Sequence, residues 1–338
     1  MLLFSVKAIR KWIVVLLSFG ITGGLISCNS HSEKTPRYKV GVLCGLDFFA
    51  DTFDGFKEQM TRLGYVEGEN ISYDFHTTNF EVAREEKILR RFLADKVDVI
   101  LTFPTEVSLH AKQIAKGSGI PVVFANANVE GVDLVHSILE PGEGITGVRY
   151  PGPDIVVQCF EYMMTLLPEI RTIWTPFQRG YPIVDAQLEA LREPLRQSGV
   201  TLLKAPLDHF EQVDPALKKL EKNGALEIDA IFTIAEPLTA HPVTGEVISG
   251  FARNHKLPAF GPQPLTPDAA SILSITTDNL DVGRQAAQIV HKILMGSAAG
   301  NIPVVSAERY LHVNYRAARA IDLQIPEGIL SQARKIIR

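Results

Sequence analysis

Val97-Asp-Val-Ile-Leu-Thr-Phe103, then Pro104-Thr105-Glu106, then Ile120-Pro-Val-Val-Phe-Ala125 carry the clearest architectural signal in the chain. Two apolar runs rich in β-branched residues, each too short for a helix, flank a segment from Thr105 to Ala115 that reads as one helix. Runs that are apolar at nearly every position, rather than at alternate ones, belong to parallel strands covered on both faces. The unit is therefore strand, helix, strand, and its repetition along the chain predicts an α/β protein.

Upstream, YKVGVLC at Tyr38 to Cys44 and the run from Ile71 to His76 read as strands. The segment Asp51 to Leu63 carries Phe53, Phe56, Met60 and Leu63 on one helical stripe, and Phe80 to Ala94 carries Ile88, Leu89, Phe92 and Leu93. A short strand from Ile145 to Val148 closes this set, and the pattern restarts after Pro151-Gly-Pro153. The second set has strands at Arg171 to Thr175, Val200 to Lys204, Asp229 to Ile234 and Leu257 to Phe260, with helices between them. Ser271 to Thr276 is again a buried-type strand, Leu280 to Met295 a long helix, and Arg309 to Val313 a last strand before short terminal helices. The predicted architecture is two lobes, each an open parallel sheet flanked by helices, with a ligand cleft between them. Residues 38–148 are assigned to lobe 1 and 149–270 to lobe 2; 271–300 return to lobe 1, and 301–338 return to lobe 2 with the C-terminal helices.

The 338 residues are enough for about two domains, at roughly 150 residues each. Hydrophobic residues at 46% and charged residues at 21% describe a globular body. Lys plus Arg number 34 against 38 Asp plus Glu, so a net charge of −4 gives no electrostatic reason to expect nucleic acid as a partner. Met1 to Lys11 hold Lys7, Arg10 and Lys11 and no acid, and an apolar run from Trp12 to Ile26 follows, as in a signal peptide spanning residues 1–27. Leu25-Ile-Ser-Cys28 resembles a bacterial lipoprotein box, which predicts Cys28 as the lipidated first residue of the mature chain and residues 28–37 as a tether. A plain secretory signal or a single membrane anchor is the alternative. The expected location is extracytoplasmic, lipid-anchored in the periplasm or on the outer face of the cell membrane.

No phosphate-binding loop, dinucleotide fingerprint, serine elbow, zinc-protease pair or Cys-x-x-Cys is present. Nine histidines show no pair at helical spacing, and three cysteines are too scattered for a thiolate site or a disulfide framework. No catalytic residue, metal or cofactor is expected, and Cys44 and Cys159 are expected to be free, buried thiols. Two open α/β sheets take a ligand where the carboxyl ends of their strands face each other. Phe48 and Phe49, after the first strand, offer rings to a flat ligand, or one staples the next helix to the core. Thr105 opens a helix, as an anion site or a simple cap. Asn126 follows the fourth strand, and Arg149, Arg179 and Tyr181 offer partners to acidic or polar ligand groups. Glu236 lies in a loop of the second half, and Asp278 either accepts a ligand ammonium or caps a helix.

Leu63-Gly-Tyr-Val-Glu-Gly-Glu-Asn-Ile-Ser-Tyr73, Gly144-Ile-Thr-Gly147 and Ile321-Asp-Leu-Gln-Ile-Pro326 resemble blocks of the substrate-binding lipoproteins of ABC-type importers, a family related to aromatic amino-acid binders. The resemblance implies two lobes of the type I periplasmic-binding class that close over a small solute and deliver it to a permease driven by a separate ATPase. It implies carboxylate capture near Thr105, an acidic group near Asp278 for an ammonium, and a monomeric binding protein that is not an enzyme. The chain departs from the family pattern at Arg149-Tyr150, at Ala125-Asn-Ala-Asn128 and at Thr175-Pro-Phe-Gln-Arg-Gly-Tyr181. The role carries over and the identity of the solute does not. A sensor that signals to a membrane kinase or cyclase is the alternative, and a cleft hydrolase with Glu236 or Asp278 as base is a further one.

Overall fold

In the first lobe, β1 (Tyr38–Cys44), α1 (Ala50–Arg62), β2 (Ile71–Thr77), α2 (Val82–Ala94), β3 (Val99–Phe103), α3 (Thr105–Ala115), β4 (Val122–Ala127) and β5 (Ile145–Arg149) alternate as the hydrophobic pattern predicts. The computed structural model describes residues 38–338 apart from Pro264. The signal segment, Cys28 and the tether therefore lie outside the described residues. The second series is α4 (Gly152–Leu166), β6 (Thr172–Gln178), α5 (Val184–Ser198), β7 (Thr201–Leu207), α6 (Val213–Lys218), the small hairpin β8 (Glu221–Lys222) and β9 (Ala225–Leu226), and β10 (Ala230–Phe232). It continues through α7 (Pro237–Ala240), α8 (Pro242–His255), β11 (Ala259–Phe260) and β12 (Ser271–Thr276). The chain ends with α9 (Asn279–Leu294), β13 (Val305–Ser306), β14 (Tyr310–Asn314), α10 (Tyr315–Ala320), α11 (Glu327–Leu330) and β15 (Lys335–Ile337).

The strands form two main sheets, in the orders β13-β5-β4-β3-β1-β2 and β15-β14-β12-β11-β10-β6-β7. Every pair in the first is parallel, and in the second only β12 and β14 run antiparallel. The all-apolar strands follow from helices on both faces. Val99 and Leu101 pack with α1 and α9 on one side, whereas Ile100 packs with α2 and α3 on the other. The second sheet repeats the arrangement, with Ile173 and Phe232 facing α4 and α5 while Trp174 and Ile231 face α6 and α8.

The chain crosses between the sheets at places other than those the sequence pattern predicts. Residue 271 does not begin a return to the first lobe, because β12 pairs with β11 and β14 in the second sheet. The crossing comes after Thr276, and α9 then packs along α1. Nor does the second return begin at 301, since β13 still pairs with β5. Arg149, assigned to lobe 2 by the sequence, is the last residue of β5 in the first sheet. Helices α1 and α9 meet at glycines: a Cβ on Gly55 would lie 2.0 Å from the Leu280 carbonyl oxygen, and one on Gly283 would lie 1.9 Å from that of Thr52. Cys44 and Cys159 are buried and unbridged, and burial pushes their thiols up to about 11 and about 12.

Candidate functional site

The carboxyl ends of the strands in both sheets carry a band of polar side chains whose hydrogen bonds fix the loops. Thr105 is buried at the start of α3, and its hydroxyl accepts the Asn128 backbone N–H at 2.9 Å, tying the end of β3 to the loop after β4. Asn126 sits at φ 50°, a conformation that asparagine tolerates better than most residues. Its amide donates to the Thr52 hydroxyl at 2.8 Å and to the Asn279 side-chain oxygen at 3.1 Å. Asn279 in turn donates to the Phe48 carbonyl at 2.9 Å. One asparagine thus gathers the first turns of α1 and α9 and the loop after β1 around the end of β4. Phe49 packs on the first core, while Phe48 stands 66% exposed with its ring edge-on to that of Phe49.

In the second lobe, Glu236 is buried and caps α7, accepting backbone N–H groups of Leu238 at 2.9 Å and Thr239 at 2.7 Å. A third N–H, from Gln178, reaches it at 3.3 Å. Burial pushes the Glu236 carboxyl up, and these N–H groups draw it part of the way back. Gln187 holds the preceding residue from both sides, accepting the Ala235 N–H at 2.9 Å and donating to its carbonyl at 2.8 Å.

The two lobes meet through Tyr181, in the loop after β6, whose hydroxyl donates to the carboxylate of Glu106 in the first turn of α3. Burial raises the Tyr181 phenol well above its usual range, and the neighbouring Glu106 charge and hydrogen bond raise it further. Next to this contact, a Cβ on Gly131 would lie 3.3 Å from the Pro182 carbonyl oxygen. Glu106, Asn128 and Asn279 are members of this band that sequence reasoning did not single out. The one signal available for Glu106 was its place beside Thr105 at a helix start.

Three predicted residues stand apart from the Glu106–Tyr181 contact. Arg149 is clamped between Glu130 and Asp154, at 2.7 Å from the latter, with Ser306 accepting from its Nε at 2.7 Å. Arg179 is exposed and pairs with Asp208 at 2.9 Å. Asp278 caps α9, accepting the Leu280 N–H at 2.9 Å, and its other oxygen lies 3.3 Å from Arg334.

The comparisons with known proteins bear on the same body. A family described as ABC transporter substrate binding protein matches residues 39–337. A tyrosine-binding protein of Clostridioides difficile strain R20291 is 22% identical over 272 residues, which are 80% of this chain and 76% of that protein. Among solved structures, a conserved domain protein from Vibrio cholerae is 25% identical with a TM-score of 0.74, covering 88% of this chain and 99% of that one. A domain from Streptococcus pneumonia in complex with L-Trp is 19% identical with a TM-score of 0.73, covering 89% of this chain and all 100% of its own. The family match runs from the second residue of β1 to the last residue of β15, so it takes in both sheets and every crossing between them, and the chain belongs to the ABC transporter substrate-binding protein family.

Proposed function

We propose that the protein is the extracytoplasmic receptor of an ABC importer. It captures a small polar or amphipathic solute, an amino acid or a relative of one, between its lobes and hands it to a membrane permease driven by a separate ATPase. The observation that supports this most directly is the Tyr181–Glu106 hydrogen bond, which joins the carboxyl-end loops of the two sheets at the place where a ligand would touch both. Contacts made only when both lobes engage the ligand shift the population toward the closed form, and the permease reads that form. The binding of tyrosine and of L-Trp by two relatives supports the amino-acid class. Cys28 is the anchor, and with two or three acyl chains it holds the receptor at the membrane.

Thermal unfolding of the protein against a panel of amino acids, amines, nucleosides, sugars and small acids tests the reading. A ligand at about 100 times its Kd adds roughly 2.7 kcal/mol, a clear rise in Tm. A flat response across the panel removes the receptor role. Recovery of a bound compound chemically unchanged separates capture from cleft hydrolysis. Loss of the protein from membranes on Cys28→Ala, with ligand affinity kept, tests the anchor.

A further inference from the structure

The charge left over between the lobes is negative. Glu106 has no cation within ion-pair reach among the described residues, and its partner is the neutral phenol of Tyr181. One carboxylate oxygen of Glu130, on the loop after β4 next to Gly131, is buried without a hydrogen-bond partner, while the other is taken by Arg149. The cations carried by α3, by β5 and by the loop after β6 are already paired: Lys112 with Asp133 and Glu143, Arg149 with two acids, and Arg179 with Asp208. The start of α3, where an anionic ligand would find free N–H groups, already carries its own tethered carboxylate, Glu106, in the first turn. The Thr105 hydroxyl at the same place is occupied by Asn128.

Surplus carboxylate acceptors with no uncommitted cationic side chain fit a group that is all donor. An ammonium carries three N–H donors, a guanidinium five, and neither has an acceptor. A ligand carboxylate would instead approach Glu106 against like charge, with no uncommitted cation to offset it. Resting on the receptor reading above, we propose that Glu106 is the specificity-determining residue of the cleft, accepting a cationic nitrogen of the solute, so that the site selects amines and tolerates loss of the ligand's carboxylate. Tyr181 and the solute nitrogen compete for Glu106: the hydroxyl proton satisfies the carboxylate until an ammonium displaces it. Selectivity then comes from a repulsive element, the helix-borne acid, as much as from an attractive one.

The test is calorimetry on the full chain with matched pairs that differ only in the charged group. Tyramine is set against 3-(4-hydroxyphenyl)propionate, and 1,5-diaminopentane against glutarate. The expected result is that at least one amine binds, at least tenfold more tightly than its matched acid. Glu106→Gln weakens that amine tenfold or more, and Glu106→Asp recovers part of the loss. Native-like far-UV circular dichroism and cooperative thermal unfolding of both Glu106 variants guard against misfolding. Equal or tighter binding of the acids overturns the proposal while leaving the receptor role standing, and so does an amine affinity that Glu106→Gln does not change. Silence of all four compounds also overturns it, with the receptor role then decided by the wider panel.

Discussion

Two acids on the borders between the lobes have opposite surroundings. Asp281, in the first turn of α9, is met by Arg284 at 2.5 Å, Arg334 at 3.0 Å and the Tyr310 hydroxyl at 2.7 Å. Arg284 also reaches Glu58 of α1 at 2.7 Å, and the Arg334 guanidinium lies over the Tyr310 ring at 3.8 Å. Glu106, in the first turn of α3, has one phenol. At the crossings, charge is fully compensated from both lobes, and removing a partner strands a charge. At the Tyr181 contact, Glu106 is met by a single uncharged group. An acid with several fixed partners is part of the joint, and an acid with one neutral partner keeps its charge uncompensated.

The largest effect is expected where the joint is steric rather than ionic. Gly283→Ala forces the α1 and α9 backbones apart, because its Cβ would lie 1.9 Å from the Thr52 oxygen. A loss of about 3 kcal/mol is expected in denaturant unfolding. Gly245→Ala in α8, with nothing within 4 Å, is the control and should be neutral or slightly stabilising. Equal responses from the two would show that the helix crossing yields freely, and the joint would then be soft.

Next in size is Asp281→Asn, which leaves Arg284 and Arg334 short of a charge and should cost about 1.5 kcal/mol or more. Burial works against the Asp281 charge, but hydrogen bonds from Tyr310, Arg334 and Arg284 outweigh it and hold the carboxyl below its usual range. The stabilisation is therefore present above the unfolded value of about 3.9 and is lost as pH falls through the lower folded value. Acid titration of unfolding should show the native protein losing more stability than the Asn variant. Parallel curves would mean that the cluster is ornamental. Tyr181→Phe should change stability by only about 1 kcal/mol, because it removes one hydrogen bond. It should, however, raise the ligand-free radius of gyration in solution scattering by loosening the contact between lobes. An unchanged radius would show that the phenol does not hold the lobes.

The fold and the polar contacts between the lobes differ in how far they could be read from sequence. The fold class was visible in VDVILTF and IPVVFA because helices on both faces demand apolar residues at every strand position. Where a strand belongs was not visible. SILSIT would suit either sheet, and only its pairing with β11 and β14 places it in the second. Lys335–Ile337 and the β8–β9 hairpin are too short to leave a periodic signal. For Thr105 and Asp278 the residue type left two readings open, and their observed partners are the neighbouring loop and the first turn of α9. Glu106 showed only its place beside Thr105 at a helix start, because what marks it is a tyrosine 75 residues further along the chain. Hydrogen bonds between distant loops have no signature in local sequence.

The smallest effect separates burial from charge within the joint itself. His312, on β14, has its imidazole pushed down by burial first and by the nearby Lys335 and Arg334 charges second, with Asp278 pulling the other way. Its folded pKa lies below the unfolded value of about 6.5, so the unfolded chain binds the proton more readily. Stability is then complete above that value and declines as pH falls through it toward the folded one. Unfolding measured from pH 7.5 to 5 should show a shallow decline that His312→Gln removes, smaller than the change that Asp281→Asn produces at lower pH. If Lys335→Gln in the native background flattens the decline as much as His312→Gln does, charge repulsion rather than burial sets the imidazole. The Lys335 and Arg334 charges beside β14 would then be an active part of the joint and not a by-product of packing.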